Sequence, residues 1–304
     1  MCNISSSHPT VYRPKLSPRS LFKSTLYIFF LPVRLFYTDL DTLPGHINQW
    51  HWHDEIQFLV CISGQLSVTV EKEDFPLDSG DALFINADLL HTTRSINGTH
   101  AVYATLNIDF RLLASFAGSR MEQSYVLPLR SDPSLTAVRL NREIPWQAKI
   151  LSDLDQIIEN LKEQPTAYEL LVCARLYQVW AALICHRETL PQTAAHSLHH
   201  QQIKQILDLL HEEYTAPLSL DTLAAATGQH KSSLCRMFKQ ELHCTISAYL
   251  TTYRLVKSQE LLLNTDLSIT EIAYASGFQD TSYYIRKFKE SMHCTPHQWR
   301  KLHR

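Results

Sequence analysis

Four side chains between positions 51 and 91 have the types from which ligand or metal sites are built. His51 and His53 stand in the segment "GHINQWHWHDEIQFLVCISG" (Gly45–Gly64), which also holds Gln57, and His91 follows. Side chains alternate along a strand, so His51 and His53 share one face while Trp50 and Trp52 share the other. Three imidazoles suit Zn, Fe, Ni or Cu. The same residues also suit a pocket of hydrogen-bonding histidines around a small organic ligand, or an ordinary satisfied core. A second set is basic: Lys231, Arg236 and Lys239, then Arg286, Lys287 and Lys289. Such side chains on a helix face can reach phosphates, and an arginine can fork onto guanine O6 and N7.

The basic residues belong to a repeat. "FKQELHCTISAY" (Phe238–Tyr249) returns as "FKESMHCTPHQW" (Phe288–Trp299), and upstream "LSLDTLAAATG" (Leu218–Gly228) returns as "LSITEIAYASG" (Leu267–Gly277). Each copy reads as a short helix capped by Ser219 or Ser268, with Asp221 or Glu271 in its first turns. Gly228 or Gly277 then ends that helix, where positive φ is cheap only for glycine. A second helix follows, with an apolar face (Leu234, Met237, Phe238; Tyr284, Phe288) and a basic one. Helix, glycine turn and amphipathic basic helix make a helix-turn-helix. In the shared segment the Phe is core, the Lys faces phosphate and the Thr starts the next helix. Between the copies, "ISAYLTTYRLVKSQELLL" (Ile246–Leu263) contains neither Gly nor Pro. As a helix of about 18 residues it is ~27 Å long. Successive major-groove faces on one side of B-DNA lie ~34 Å apart, so this rod suits two recognition helices set into consecutive grooves.

The elements that must carry these residues fall into four stretches. Residues 1–24 are Ser/Pro-rich and basic and read as a flexible segment. Residues 25–186 begin strand-like, with a buried strand expected over "LYIFFLPV" (Leu26–Val33) and alternation at Leu66, Val68 and Val70 before a turn at Asp78–Gly80. Over 145–186 the period becomes helical. Ile150, Leu154, Ile157, Ile158 and Leu161 form one stripe; after Pro165, Leu170, Leu171, Ala174, Tyr177, Val179, Ala181 and Leu183 form a second apolar helix. Residues 187–200 are polar and aperiodic and read as a linker. Residues 201–304 are helical, with a further start at Pro296.

The whole chain has 28 Lys+Arg against 30 Asp+Glu. Residues 200–304 hold 12 and 10 of these, a net of +2, which leaves −4 on residues 1–199 and points the C-terminal part toward a polyanion. The seven cysteines are odd in number and include no CxxC pair, as expected of reduced thiols in a cytosolic protein. The apolar run near the start is too short to span a bilayer, so no membrane partner is expected.

Residues ~200–304 closely resemble the DNA-binding domain of AraC/XylS-type transcription regulators. The second copy, "LLLNTDLSITEIAYASGFQDTSYYIRKFKESMHCTPHQWRK", is nearly a signature of that family. The resemblance implies base-facing positions at Ser232, Cys235 and Arg236 in the first unit, and at Gln279, Ser282, Ile285 and Arg286 in the second. Lys231, Lys239 and Lys289 flank them. His243 and His293 stand where the family has Gly after each recognition helix; His accepts positive φ better than most residues, so both turns should survive. Ile285 replaces a commonly polar residue and suits a thymine methyl.

At the front, the spacing from Gly45 to Gly64 resembles the first motif of cupin barrels, with Gln57 in place of Glu. Gly80, Asn86, Asp88 and His91 mark a weaker second motif. The implied fold class is α+β: an N-terminal cupin-like β-barrel with a helical pair, then an all-α domain of two helix-turn-helix units joined by a linker helix. Sensor cupins of such regulators are ligand pockets without catalytic metal. His51, His53, Gln57 and His91 are accordingly expected to face a small-molecule effector, for which a sugar is a reasonable guess and amino acids, urea-like molecules or host signals are equally compatible, and no metal or cofactor is expected. The resemblance further implies double-stranded operator DNA as partner, activation, a homodimer through the helices after the barrel, and RNA polymerase among compatible partners. The competing reading is a metal-dependent cupin enzyme fused to a nucleic-acid-binding domain. It needs an open coordination position, and the missing carboxylate argues against it. No enzymatic activity is expected.

Overall fold

The computed structural model describes residues 31–190 and 200–303. Its N-terminal part holds strands β1 (Val33–Asp39), β2 (Ile47–His51), β3 (Ile56–Ser63), β4 (Gln65–Val70), β5 (Glu73–Asp78), β6 (Ala82–Ile85), β7 (His91–Ser95), β8 (Val102–Ile108) and β9 (Ala137–Leu140). They form two antiparallel sheets, in the orders β1-β8-β3-β6-β9 and β2-β7-β4-β5. Two short helices, α1 (Phe110–Ala114) and α2 (Leu127–Arg130), lead to a long antiparallel pair, α3 (Pro145–Glu163) and α4 (Tyr168–Cys185).

Strand β3 shows why the layers stack. Its residues from Ile56 to Cys61 are all buried, because both faces are covered. Phe58 and Val60 join Phe84, Leu106 and the inner faces of α3 and α4 in one core. Leu59 and Cys61 point the other way, into the barrel interior with Leu66, Val68, Val70 and Tyr103. The expected alternation at Leu66, Val68 and Val70 is therefore present. A buried Asp153 on α3 ties the helix pair together, accepting from Arg175 on α4 at 3.0 Å.

Several expectations are corrected. The strand expected over Leu26–Val33 falls mostly outside the described residues, and β1 begins at Val33, just after Pro32. The stretch before Asp78–Gly80 is two strands, because the chain reverses at Glu71 with φ 54°. Strand β9, not anticipated, completes the five-stranded sheet beside β6. In α4 the buried face is Val172, Leu176, Val179, Trp180 and Leu183, whereas Leu170, Leu171, Ala174 and Ala181 are exposed. Helix α4 is also long and apolar enough to cross a membrane by composition, but its buried face packs on the barrel.

The C-terminal part is helical as expected: α5 (His200–Glu212), α6 (Leu220–Thr227), α7 (Lys231–Leu242), α8 (Ile246–Asn264), α9 (Ile269–Ala275), α10 (Thr281–Met292) and α11 (Pro296–His303). The two units repeat in detail. Ser219 accepts from the Thr222 amide, and Ser268 forms a full capping box with Glu271. Thr245 and Thr295 start α8 and α11 by accepting from Ala248 and Gln298. His243 and His293 adopt φ 55° and 58°, so histidine does carry the left-handed turn after each second helix. Gly277 is needed twice over: its φ is +89°, and a Cβ there would lie 2.4 Å from the Tyr214 carbonyl oxygen. The rod α8 runs 19 residues, one beyond the expected end.

Candidate ligand cluster and nucleic-acid interface

The barrel brings His51, His53 and His91 together. His51 ends β2 and His91 starts β7, and the two are direct cross-strand partners. Ring centroids are 4.1 Å apart for His51–His91, 5.1 Å for His53–His91 and 6.0 Å for His51–His53. All three are buried, and one ring nitrogen from each lies within 4.8 Å of the other two. In every case Nδ1 lies against a backbone carbonyl: Gln49 O at 2.7 Å, Glu55 O at 2.9 Å and Leu89 O at 2.9 Å. A carbonyl only accepts, so each Nδ1 carries the proton and each Nε2 the lone pair in the neutral ring. Gln57 reaches the cluster from β3, its Nε2 3.3 Å from His53 Nε2 and donating to Asn107 Oδ1 at 3.0 Å. The Glu55 carboxylate stands 3.6 Å from His53 Nδ1 and is itself paired with Arg34. The cluster thus forms a polar end to a barrel interior that is apolar around Leu59, Leu66 and Val68.

The two tryptophans face away from the cluster, Trp50 near the end of β2 and Trp52 just past it, since the strand stops at His51 and does not extend through His53 as expected. Trp50 is buried in the core of the first helix-turn-helix unit, with Leu90, among Leu234, Phe238, Leu242 and Tyr249. Its indole N–H donates to Leu242 O at 3.2 Å, and its carbonyl accepts from the Tyr249 hydroxyl at 2.7 Å. His211 Nε2 lies 2.7 Å from that hydroxyl oxygen. Burial, with Lys257 adding to it, lowers the His211 pKa to about 3, so the ring is neutral at pH 7. The Lys204 ammonium lies over Trp52 at 4.3 Å, and burial lowers its pKa. Further contacts join the parts, among them Lys72 with Glu241 at 3.3 Å, Lys204 with Asp88 at 3.8 Å, and the buried Gln259 of α8 donating to Thr42 O at 2.9 Å. A cavity of about 590 Å³ opens beside Trp50, lined by Gln49, Thr92, Arg94, Glu241 and His243. The sequence showed that Trp50 faces away from the histidines. It did not show where Trp50 goes, because its partners lie some 190 residues later, nor did it single out Tyr249 or His211.

The residues expected to read DNA fall on two matched helices. On α7, Lys231, Ser232, Arg236 and Lys239 are exposed, with Lys231 paired to Asp221. On α10, Ser282, Arg286 and Lys289 are exposed, and Gln279 is exposed just before the helix. Cys235 and Ile285, at the same position of the two copies, are half-buried and lean on their own cores. That makes them weaker candidates for base contact than the arginines. The Arg286 guanidinium lies 5.4 Å from the Tyr283 ring centre. Gln229 matches Gln279 in the repeat but turns inward, donating to the Met237 sulfur.

A family model described as a helix-turn-helix domain matches residues 223–302, and one described as an AraC-like ligand binding domain matches residues 37–180. The uncharacterized HTH-type transcriptional regulator YdeC of Bacillus subtilis is 30% identical over 273 residues, covering 90% of this chain and 92% of that protein. The HTH-type transcriptional activator RhaR of Shigella flexneri is 23% identical over 273 residues, covering 86% of this chain and 90% of its own. Among solved structures, ToxT from Vibrio cholerae gives a TM-score of 0.52 at 13% identity, covering 89% of this chain and 98% of that one. At that identity the likeness establishes the shared fold.

Proposed function

The chain belongs to the AraC family of DNA-binding, ligand-controlled transcription regulators, and from that premise we propose that strand β2 is the element through which its ligand acts. The observation that carries this reading is how residues 50–53, at and just past the end of β2, divide between two cores. His51 and His53 face the barrel interior, and Trp50, one residue away, enters the core of the first helix-turn-helix unit. A ligand that displaces the backbone at His51 or His53 also displaces the adjacent Trp50. It biases DNA binding by as much as its affinity differs between the latched and released arrangements. The polar lining fits a small polar effector such as a sugar better than an apolar one.

On the DNA side, Arg236 and Arg286 are the base readers of their units, with Ser232, Ser282 and Gln279 beside them. Cys235 and Ile285 supply short apolar contacts, and Lys231, Lys239 and Lys289 meet phosphate. The regulator is an activator that works in the cytoplasm beside RNA polymerase. It acts as a homodimer through the exposed Leu170, Leu171, Ala174 and Ala181 face of α4.

The test is fluorescence anisotropy on an operator selected from random DNA, with and without the effector found by thermal-shift screening of the full chain. Trp50→Ala is expected to keep specific binding and lose the effector's influence on it. Retention of the full effector response in Trp50→Ala would overturn the β2 route. Loss of all specific binding in Arg236→Ala/Arg286→Ala, with the fold intact by circular dichroism, is expected for the two recognition helices.

A further inference from the structure

We propose that Arg254 is a positioning residue for DNA recognition: it fixes the tilt between α7 and α10, and with it the operator spacing that the chain accepts. The inference rests on the reading above that both helices enter DNA. Arg254 projects from the rod α8 to the segment that follows α5 in the first unit. Its Nε donates to Tyr214 O at 2.7 Å and its Nη2 to Ala216 O at 3.0 Å. A planar guanidinium spans two carbonyls in one fixed geometry, which the point charge of a lysine does not. The group is half-buried. Burial lowers its pKa, Tyr283 of α10 acts in the opposite direction, and the side chain stays charged at pH 7. Arg254 therefore joins the rod, the first unit and the surroundings of the second recognition helix.

Gly277 supplies an independent observation. It stands in the turn before α10, and a Cβ there would lie 2.4 Å from Tyr214 O, 2.8 Å from Arg254 Nε and 2.9 Å from Thr215 Cα. Only a hydrogen fits, so the backbone of the second unit rests on the same carbonyl that Arg254 holds. At Gly228, the matched position of the first unit, a Cβ would meet nothing within 4 Å. One of the two repeated turns has become a docking point and the other has not.

The contact matters because a shared rod is not enough. Helix α8 enters both cores, with Tyr249 and Tyr253 in the first and Leu255 and Leu262 in the second. That sets the distance along the rod but leaves the roll of one unit about it to side-chain packing alone. A backbone contact off the rod axis, clamped by two charge-assisted hydrogen bonds, removes the roll. Tyr283 carries the result toward the bases. Its ring lies 6.2 Å from that of Phe278 and 5.4 Å from the Arg286 guanidinium. A shift at the Gly277 turn thus moves Arg286 relative to Arg236. Each added base pair displaces a groove by ~3.4 Å and turns it by ~35°, so a rigid pair of helices accepts one spacing.

The experiment measures the full chain by fluorescence anisotropy on the operator selected from random DNA, and on the same operator with one base pair inserted between the two contacted grooves. The wild type is expected to lose about 30-fold in affinity on insertion. Arg254→Lys, which keeps the charge, is expected to bind the selected operator about tenfold more weakly and to lose only about threefold more on insertion. Its circular dichroism and its affinity for random-sequence DNA should match the wild type. Gly277→Ala should relax the spacing in the same way, and Arg254→Lys decides alone if that variant does not fold. Gly228→Ala, also at positive φ but without the clash, should keep the wild-type insertion penalty. An undiminished penalty in Arg254→Lys, or equal relaxation in Gly228→Ala, would overturn the positioning role and leave the two-groove reading standing. A wild type indifferent to the insertion would sink the two-groove reading itself, and this inference with it.

Discussion

The two helix-turn-helix units were built from one repeated sequence, yet they finish their cores differently. The second unit completes its apolar core from its own helices, although α10 also lies against the Pro44–His46 turn of the barrel: Ile272, Phe278, Tyr284, Phe288 and Trp299 pack with Leu255 and Leu262 of the rod. The first unit, around Phe238, Tyr249 and Tyr253, takes in Trp50 and Leu90 from the barrel. At position 299 the second copy has a tryptophan from α11; at the matched position 249 the first has Tyr249, whose hydroxyl donates to Trp50 O. Duplication supplied two DNA readers, and divergence at a few core positions left one of them open to a sensor. The asymmetry is one of core: only the first unit lets barrel side chains into its apolar interior.

The largest effects should come from the repeated phenylalanines. Phe238 and Phe288 are both fully buried, so truncation of either to alanine should cost about 3–5 kcal/mol of stability. The consequences should differ in place. Phe238→Ala should raise amide hydrogen exchange across residues 47–53, because the Trp50 seat is lost. Phe288→Ala should leave that stretch protected. Equal deprotection in both variants would mean that the units lean on the barrel alike.

The arginines test the DNA side of the same comparison. Arg236→Ala and Arg286→Ala should each cost about 1–3 kcal/mol of specific affinity and relax preference at one base position. Arg286 should matter more. Tyr283 lies under its guanidinium, whereas Ser233 occupies that position in the first unit, so Arg236 must be ordered when DNA binds. Competition assays against operators changed base by base would measure both terms, and a larger loss from Arg236→Ala would break the argument.

Acid should act on the first unit. His211 is neutral when folded, with a pKa near 3, against about 6.5 in an unfolded chain. At pH 7 the folded ring is neutral and the unfolded one mostly so, and the group contributes little. Below pH 6.5 the unfolded chain takes up a proton and the folded one does not, so stability falls as pH falls toward 3. At pH 5 the loss is about 2 kcal/mol. Thermal unfolding between pH 7 and pH 5 should show it, and His211→Gln should remove most of the pH dependence. A pH dependence unchanged in His211→Gln would assign the effect to other groups.

Much of this asymmetry was illegible in sequence, for identifiable reasons. The helical part announces itself through local chemistry: Ser219, Ser268, Thr245 and Thr295 cap helices, and His243 and His293 end them. Local signals travel a few residues, so the helix limits came out within one or two. The barrel depends on pairing between distant segments. The His51–His91 register, the closing strand β9 and the reversal at Glu71 all follow from the sheet, and a non-glycine turn gives no composition signal. In α4 both faces are apolar, so hydrophobicity could not say that Val172 and Leu176 turn inward while Leu170 and Leu171 stay out. Alternation did separate His51 and His53 from Trp50 and Trp52. The partner of Trp50 was beyond any local rule.

The smallest effect discriminates best. Lys239 and Lys289 are the same residue at the same place in the two copies, both exposed on the basic face. A lysine on phosphate releases about 0.9 of a counterion, so its removal lowers the slope of log affinity against log salt by about 0.9 and leaves base preference alone. If the barrel restrains only the first unit, Lys289→Ala should lower the slope whether or not the ligand is present. Lys239→Ala should lower it only once the ligand has freed that unit to enter its groove. Affinities measured from 50 to 300 mM salt with each variant, with and without ligand, resolve the four cases. Equal slope losses for both lysines without ligand would show that Trp50 does not keep the first unit from DNA. The latch would then have to act on something other than groove entry, and the unequal cores would be a difference in stability alone.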